Sequence, residues 1–338
     1  MKIIKLLGAA ACVLSLSIAA RADAVSDFYA NRTINVLVGF GPGGAYDLYA
    51  RTLARHFGNH VPGHPNVVVK NVPGAAGLAL VNTLYNTSPK DGTEFGTFNR
   101  TIPLDPLLGG SQAQFDALKL EWLGSPSNEV SACVAWHTAK AKNIEDLRTT
   151  ELLMAGTGSA ADATIYPTLF REVLGLKFKV INGYVGGADA VLAMEKGEIE
   201  GFCPWGWTGI ESTHPEWLRD GKINVLMQLG LNKHPKHPEV PLVLDLAKTE
   251  ADRQALELML SPSLFARPFA APPGVPAERL AALRKAFEDT VKDPAFVADA
   301  EKQKLEVEYV SPDKIRSILI KLYAFPPAVV ARVKAAVK

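Results

Sequence analysis

The 338-residue chain has few cysteines, almost no net charge and none of the common catalytic motifs. Its 3 cysteines exclude a disulfide-rich scaffold. Lysine and arginine total 36 against 35 aspartates and glutamates, so no overall field would attract a nucleic acid or an acidic membrane. After the N-terminal stretch, no apolar run reaches the roughly 18 residues that a membrane span needs. Patterns of the type G-x-S-x-G, H-E-x-x-H or a P-loop are missing, which disfavours the enzyme classes that depend on them.

The first 24 residues have the pattern of a secretory signal peptide. Lys2 and Lys5 make a basic start, Leu6–Ala20 is a short apolar run, and Ala22-Asp23-Ala24 fits a small-x-small cleavage site. We therefore expect residues 1–24 to be cleaved and the mature protein to be exported. More than 300 residues then remain, which is enough for two domains with their own cores.

Two cysteines, Cys133 and Cys203, remain in the expected mature chain. Each lies in an apolar run with the character of a strand. A disulfide between them is one interpretation, because an exported protein folds in an oxidising compartment. Two separate buried thiols are the other interpretation, and the sequence leaves both open.

The stretch Thr33–Phe57 predicts a strand, a glycine-rich turn and a helix. Thr33–Phe40 is a β-branched apolar run, Gly41-Pro42-Gly43-Gly44 follows it, and the apolar residues after Asp47 recur at helical spacing. Such a unit binds anions, because glycines expose backbone N–H groups and a helix N terminus carries roughly half a positive charge. A plain connecting turn is one alternative. A dinucleotide-binding oxidoreductase is another, since Gly39–Gly44 matches G-x-G-x-x-G.

Strands and helices alternate along the rest of the chain in the same way. This alternation predicts parallel, three-layer α/β sheets, in which ligands bind at the carboxyl ends of the strands. The further predicted strands are 66–72, 93–98, 132–136, 152–155, 178–181, 199–203, 222–229 and 264–270. The predicted helices of the last third are 276–291, 296–302, 312–322 and 327–337.

Two cofactor or metal interpretations are weak. The dinucleotide fingerprint requires an acidic residue at the end of the second strand, where this chain has Lys70-Asn71. His56, His60 and His64 are spaced by four like a helical metal site, but Pro62 interrupts the helix before the third histidine. A solvated helix face is the preferred interpretation, and we expect no cofactor and no metal.

A serine hydrolase is the remaining enzymatic alternative. The loop Gly156–Ser159 places its serine one residue away from a nucleophile-elbow pattern. An exported hydrolase would use Ser159 together with His137 or His214. Because no complete motif supports it, we expect a binding protein and not an enzyme.

Several motifs follow one another along the chain in the order of a known family. They are GFGPGGAYDLYAR, NVPGAAG with PKDG behind it, GTGS, YVGGADAVLAMEKGEIEG and APPGVPAERLAALRKAFEDTVKDPAF. Behind a signal peptide, this series resembles the periplasmic substrate-binding receptors of tripartite tricarboxylate transporters, the TctC or Bug family. The resemblance covers essentially the whole mature chain. It implies a two-lobed α/β periplasmic binding protein of type II-like architecture, in which each lobe is a three-layer αβα sandwich. Two hinge crossings would join lobe I, residues 25–125 plus 230–338, to lobe II, residues 126–229.

The resemblance also implies a function. A small organic carboxylate would bind between the lobes, held largely by backbone N–H groups, and a monomeric receptor would deliver it to membrane permease subunits without catalysis. Asp47 would fix the first loop rather than touch the ligand. The ligand-binding loops carried over from the family are Gly43, Gly44 and Ala45 with Asp47; Gly74, Ala75 and Ala76; Thr157, Gly158 and Ser159; and Gly186 and Gly187.

Three more residues join the predicted site on their own chemistry. Arg100 and Thr101 follow the third strand, and Arg100 could pair with a second carboxylate of the ligand. An ion pair at the surface or between the lobes is the alternative for Arg100. Trp205 could contact an aromatic ligand, although at least one of Trp205 and Trp207 is expected to pack in the core.

Overall fold

Two five-stranded sheets organise residues 24–337, the part of the chain that the computed structural model describes. Residues 1–23 of the predicted signal peptide lie outside this part. Within residues 24–337, no helix combines the length and the apolar character needed to cross a membrane.

The strands and helices are numbered in chain order. The strands are β1 (Thr33–Val38), β2 (Asn66–Asn71), β3 (Glu94–Thr97), β4 (Glu121–Gly124), β5 (Ser131–Trp136), β6 (Leu152–Gly156), β7 (Phe178–Asn182), β8 (Gly201–Gly206), β9 (Ile223–Leu229) and β10 (Phe269–Ala271). The helices are α1 (residues 24–29), α2 (Ala45–Phe57), α3 (Leu78–Asn86), α4 (Asp105–Leu108), α5 (Asp162–Leu174), α6 (Gly187–Glu195), α7 (Trp207–Thr213), α8 (Pro215–Arg219), α9 (Glu250–Leu260), α10 (Ala277–Lys292), α11 (Pro294–Lys302), α12 (Pro312–Tyr323) and α13 (Pro327–Ala336).

The first sheet has the strand order β2-β1-β3-β10-β4. β1 pairs in parallel with β2 and β3, so the loops that follow β1 and β3 leave the sheet at the same edge. β10 inserts antiparallel between β3 and β4, although it comes more than a hundred residues later in the chain. The last third of the chain therefore returns to the first sheet.

The second sheet has the strand order β7-β6-β8-β5-β9. β6 is parallel to β7 and β8, whereas β5 runs antiparallel to β8 and β9. Cys133 on β5 and Cys203 on β8 form a disulfide, with their Cα atoms 4.3 Å apart. Of the two interpretations left open by the sequence, the structure has the disulfide. The chain passes between the sheets after β4 and again between β9 and β10.

The predicted alternation of strands and helices is confirmed, although the sequence analysis does not predict β4 or α9 and two further details are wrong. The sheets are mixed rather than wholly parallel, because β5 and β10 enter antiparallel. The predicted strand 264–270 is also too long. Ser261–Phe265 is a 3₁₀ helix with Pro262 in its first turn, where proline lacks only a donor that would be unpaired, and only Phe269–Ala271 pairs with the sheet.

Helix α2 shows how the sequence positions the site. Gly44 precedes its first residue, and Ala50, Leu53 and Phe57, spaced by three and four, are all fully buried. This apolar face packs α2 against β2 and α10. Its N terminus is consequently held at the carboxyl end of β1.

Candidate ligand-binding site

A cavity of about 310 Å³ lies between the two sheets. The first sheet contributes the loop between β1 and α2, and Asn99 and Arg100 after β3. The second sheet contributes Thr157 after β6 and the end of β8. The cavity therefore lies at the carboxyl ends of parallel strands from both sheets, which is where the sequence predicts the ligand to bind.

Three helices begin at this cavity. Its lining includes Gly44 and Ala45 at the start of α2, Ala163 in the first turn of α5, and Gly187 and Ala188 at the start of α6. A Cβ atom at Gly44 would lie 3.9 Å from the backbone nitrogens of both Gly187 and Ala188, so the N termini of α2 and α6 face each other. Because the first N–H groups of a helix have no intrahelical partner, this end of the cavity favours an anion.

Asp47 holds the loop before α2 in place and is not part of the cavity lining. Its carboxylate accepts hydrogen bonds from the Gly43 N–H at 2.9 Å, from Arg51 Nε at 2.9 Å and from Asn71 Nδ2 at 2.8 Å. Burial acts to raise the pKa of Asp47, but the bonds from Arg51, Gly43 and Asn71 outweigh it and hold the pKa below its usual range. These contacts match the loop-fixing role predicted for Asp47.

Arg100 is buried beside the cavity and joins the two halves of the molecule. Its Nε donates to Asp162 Oδ2 at 2.9 Å, and an Nη donates to Ser131 Oγ at 3.0 Å. Burial acts against the charge of Arg100, but Asp162 together with Tyr166, Tyr46 and Glu129 outweighs it, so the pKa of Arg100 is raised. Arg100 was predicted either to bind the ligand or to form an ion pair. In the structure it forms an ion pair with Asp162, which connects the first-sheet half to the second-sheet half.

A second buried ion pair lies next to the first. Arg267 donates to Glu129 Oε2 at 2.6 Å, and its guanidinium carbon lies 4.7 Å from the centroid of the Tyr46 ring. Burial raises the pKa of Tyr46 to about 12, so its hydroxyl is neutral, and it accepts the backbone N–H of Arg100 at 3.1 Å. Since isolated charges are costly to bury, these four charged side chains stabilise one another as two pairs.

Some donors and one acceptor of this network remain without a hydrogen-bond partner. Among the described residues, Arg100 Nη1 and Arg267 Nε are buried without a hydrogen-bond partner, as is Glu129 Oε1. Arg100 Nη1 lies 3.8 Å from Glu129 Oε2, which is an ion-pair distance. Buried donors of this kind cost free energy unless a ligand or water satisfies them.

Aromatic rings form another part of the lining. Phe40 and Tyr46 stack with their ring centroids 4.6 Å apart, and Phe202 lies 6.1 Å from Trp205. Trp207 does not line the cavity; its ring is 1% exposed and stacks on His237 at 3.8 Å. Of the two tryptophans, Trp205 therefore faces the cavity and Trp207 packs in the core.

The predicted site residues divide into two groups: the first group lines the cavity, and the second lies outside its lining. Gly158 illustrates the second group, because a Cβ atom there would lie 2.9 Å from the Cα of Ala75, where loops of the two sheets touch. Thr101 likewise donates its hydroxyl to the carbonyl of Ala160 at 2.8 Å. Those that line the cavity are Gly43, Gly44, Ala45, Arg100, Thr157, Gly187 and Trp205. Those outside its lining are Asp47, Gly74, Ala75, Ala76, Thr101, Gly158, Ser159 and Gly186.

Sequence reasoning missed other residues of the lining. Tyr46 and Asp162 had a detectable signal, because each lies at a helix start directly after a glycine-rich loop. Arg267 and Glu129 had none, since they meet only through the insertion of β10 into the first sheet. Further lining residues that the sequence does not place in the ligand site are Phe40, Leu192, Glu195 and Phe202, together with His214, which it offers only to a hydrolase.

The residues of the alternative sites lie elsewhere. His56 Nε2 is 3.0 Å from Asp299 and His60 Nε2 is 2.8 Å from Asp293, so these two histidines contact α11 and the residue before it rather than forming a solvated face. Within residues 24–337, no group of three histidines, cysteines or carboxylates could hold a metal ion. Ser159 is exposed and lies outside the cavity lining.

Two α/β sheets with a cavity between the carboxyl ends of their strands define a two-lobed binding-protein fold. No family model matches the chain. Over 250 residues, covering 71% of this chain and 72% of the relative, it is 24% identical to the UPF0065 protein in gbd 5′ region of Cupriavidus necator. It is similar in structure to the periplasmic binding protein BugD, with a TM-score of 0.73, 20% identity, and 91% and 98% of the two chains covered.

A second solved structure is MatC from Rhodopseudomonas palustris with bound malate. Its TM-score is 0.69 at 17% identity, with 91% of this chain and 99% of MatC covered. These likenesses confirm the predicted two-lobed fold and the resemblance to the Bug receptors. At such identities they establish the fold, and the ligand has to be argued from the cavity.

Proposed function

We propose that the protein is an extracytoplasmic receptor that captures a small organic carboxylate between two lobes and delivers it to a tripartite tricarboxylate-type transporter. Lobe I would comprise residues 25–125 and 230–338, built on the first sheet, and lobe II residues 126–229, built on the second. The receptor would act in the periplasm as a monomer, without cofactor or catalysis.

One observation carries the proposal: the N termini of α2, α5 and α6 converge on a cavity whose two arginines, Arg100 and Arg267, are already paired with carboxylates of the protein. A carboxylate that leaves water needs several donors to replace its hydration. Each charge-assisted hydrogen bond contributes roughly 1.5–3 kcal/mol, so a few helix N–H groups and Thr157 can offset the desolvation. The malate bound to MatC supports a carboxylate as the ligand class.

No observation favours the two enzymatic alternatives. Ser159 is not in the cavity lining with His214, and the first glycine of the dinucleotide-like pattern has a packing role. A Cβ atom at Gly39 would lie 2.5 Å from the Cα of Gly77, so Gly39 permits close contact between two backbone segments.

The test is a thermal-shift screen of the mature protein against aliphatic mono-, di- and tricarboxylates, aromatic acids, amino acids and NADH. A ligand at 100 times its dissociation constant stabilises the folded state by about 2.7 kcal/mol, which raises the melting temperature by several degrees. We expect a shift with carboxylates only. A flat response to every acid, or a shift with NADH alone, would contradict the proposal.

A matched pair of variants locates the site. Gly44 has an ordinary φ of −82°, so Gly44→Leu places a side chain at the anion end without backbone strain and should abolish the carboxylate shift. Gly221 has a φ of +62° and no heavy atom within 4 Å of an added Cβ. Gly221→Ala should therefore lower the melting temperature slightly and leave ligand binding intact.

A further inference from the structure

The face of α6 that lines the cavity changes its chemistry from one end to the other. Ala188, Val191, Leu192 and Glu195 all line the cavity, and their spacing places them on one face of the helix. At a rise of 1.5 Å per residue, Glu195 lies about 10 Å beyond Ala188 along the helix axis. The cavity therefore runs from helix N–H groups, past aliphatic side chains, to an exposed carboxylate.

Aromatic side chains form the wall that accompanies this apolar middle. A Cβ atom at Gly187 would lie 3.6 Å from the Phe202 ring, so this ring reaches the N terminus of α6. Trp205 is 7% exposed, and its ring packs edge-on against Trp217 with the ring centroids 6.1 Å apart. Rings held in this way offer a flat apolar surface directly beyond the anion end.

The charges of the lining leave no cation for a second carboxylate. The lining contains the arginines Arg100 and Arg267 against the carboxylates Glu129, Asp162 and Glu195. Asp162 and Glu129 already bind the two arginines. Within residues 24–337, Glu195 forms no ion pair, so the far end of the cavity is negative.

His214, which also lines the cavity, does not change the balance of charges. Its ring stacks on Trp217 with centroids 3.7 Å apart, and its Nδ1 lies 3.8 Å from Glu216. Any charge on the imidazole therefore faces a carboxylate of the protein.

We infer that the ligand is a monocarboxylate with an aromatic or similarly flat apolar body, and that Glu195 selects against acids carrying a second carboxylate. This inference rests on the proposed function, because it takes the helix N termini as the site of the first carboxylate. The rings of Phe202 and Trp205 would cover the body of the ligand, and Glu195 would repel a distal negative charge.

Calorimetric titration of the mature protein with three acids tests the inference. Hexanoate and adipate differ in the distal carboxylate, and 3-phenylpropanoate adds a ring. We expect 3-phenylpropanoate to bind about tenfold more tightly than hexanoate, from the contact of its ring with the aromatic wall. Adipate should bind at least about tenfold more weakly than hexanoate at low ionic strength, where repulsion by Glu195 is least screened.

The outcomes separate the inference from the proposed function. Adipate binding as tightly as hexanoate or more tightly, or equal binding of hexanoate and 3-phenylpropanoate, overturns the inference and leaves a carboxylate receptor standing. Failure of all three acids to bind, together with a flat response to every acid in the thermal-shift screen, overturns the proposed function and this inference with it.

Variants of exposed residues keep the test independent of folding. Glu195→Lys should improve adipate binding relative to hexanoate by about tenfold or more, because a cation then meets the distal carboxylate. Glu198→Lys makes the same charge change at an exposed residue outside the lining and should leave the ratio unchanged. An equal effect of the two substitutions would show a general field and would overturn the role of Glu195.

The aromatic wall has its own pair of variants. Trp205→Ala should weaken 3-phenylpropanoate about tenfold and hexanoate much less, while Trp205→Phe retains most of the preference. Because Trp205 also packs on Trp217, circular dichroism melting establishes that each variant is folded. Parallel losses for both acids in folded Trp205→Ala would contradict a contact specific to the ring.

Discussion

Asp47 and Asp162 occupy similar positions at the start of a helix, but their hydrogen-bond partners lie in different parts of the molecule. Asp47 binds its own half, and Asp162 binds the other half. Each lies in the first turn of a helix that follows a glycine-containing loop, Asp47 in α2 and Asp162 in α5. Asp47 makes its hydrogen bonds within the first half, to Gly43, Arg51 and Asn71. Asp162 reaches across the cavity and accepts from Asn99 Nδ2 at 2.7 Å and from Arg100 Nε at 2.9 Å.

The difference separates two tasks that look alike in the sequence. A carboxylate at a helix start stabilises the helix dipole wherever it occurs. Asp47 adds the fixing of a loop, so that the N–H groups at the start of α2 stay in place. Asp162 instead neutralises a buried arginine of the other half, so it couples the two halves of the cavity.

The largest effect should come from Asp162→Ala. Removing one partner of a buried ion pair leaves the other charge without compensation, which typically costs about 3–5 kcal/mol. Arg100 keeps its bond to Ser131, so we expect a loss of about 3 kcal/mol in the free energy of unfolding, measured by urea denaturation.

A matched control for this variant is Asp189→Ala. Asp189 lies in the first turn of α6, is exposed, and accepts the Val185 N–H at 3.2 Å. Its loss should cost less than about 1 kcal/mol, as for other exposed helix-start interactions. Equal costs for Asp162 and Asp189 would show that Asp162 acts only on its own helix.

A smaller loss is expected for Asp47→Ala. Three hydrogen bonds are lost, but the charged partner Arg51 has 43% of its side chain exposed and can return to water. We expect a decrease of about 2 kcal/mol in the free energy of unfolding and a weaker carboxylate affinity, because the loop before α2 loses its support. The measurements are urea denaturation and calorimetric titration.

Arg51→Ala distinguishes loop fixing from the ion pair alone. It removes the exposed partner and leaves the bonds from Gly43 and Asn71 to Asp47 in place. The expected cost is below about 1 kcal/mol with unchanged ligand affinity. A loss as large as that of Asp47→Ala would assign the effect to the ion pair and not to the loop.

Local sequence patterns predicted much of the fold, because many of its strands, turns and helices are determined by residues that are close together in the sequence. The strand β1, the turn Gly41–Gly44 and helix α2 follow from the apolar run, the glycines and the helical spacing of buried residues. The position of β10 could not be predicted in the same way. Its place between β3 and β4 depends on pairing with strands more than a hundred residues away, and three residues carry little pattern of their own.

The candidate site was predictable at its anion end and not in its charge network. Gly44 and Thr157 could be identified because glycine loops before helices bind anions wherever they occur. The partners of Arg100 could not, since Asp162 and Glu129 approach it only after two sheets have packed together. Spacing along the chain carries no information about such contacts.

The smallest effect is a pH dependence that should distinguish Asp47 from its variant. The pKa of Asp47 is lower in the folded state than the ordinary value of about 3.9, because bonds from Arg51, Gly43 and Asn71 outweigh its burial. A carboxylate with a depressed pKa contributes stability that is fully present above its unfolded pKa and is lost as the pH falls through its folded pKa.

The free energy of unfolding of wild type minus that of Asp47→Asn should therefore be constant above about pH 5 and should shrink as the pH falls below about 4. Urea denaturation at half-unit steps from pH 2.5 to pH 7, in about 0.1 M salt, measures this difference. In the Arg51→Ala background, the free energy of unfolding should still fall with decreasing pH because of Asp47, but less steeply, since Gly43 and Asn71 still bond its carboxylate. A difference that stays constant down to pH 2.5 would mean that the charge of Asp47 contributes nothing to holding the loop, and that its oxygens act only as neutral acceptors.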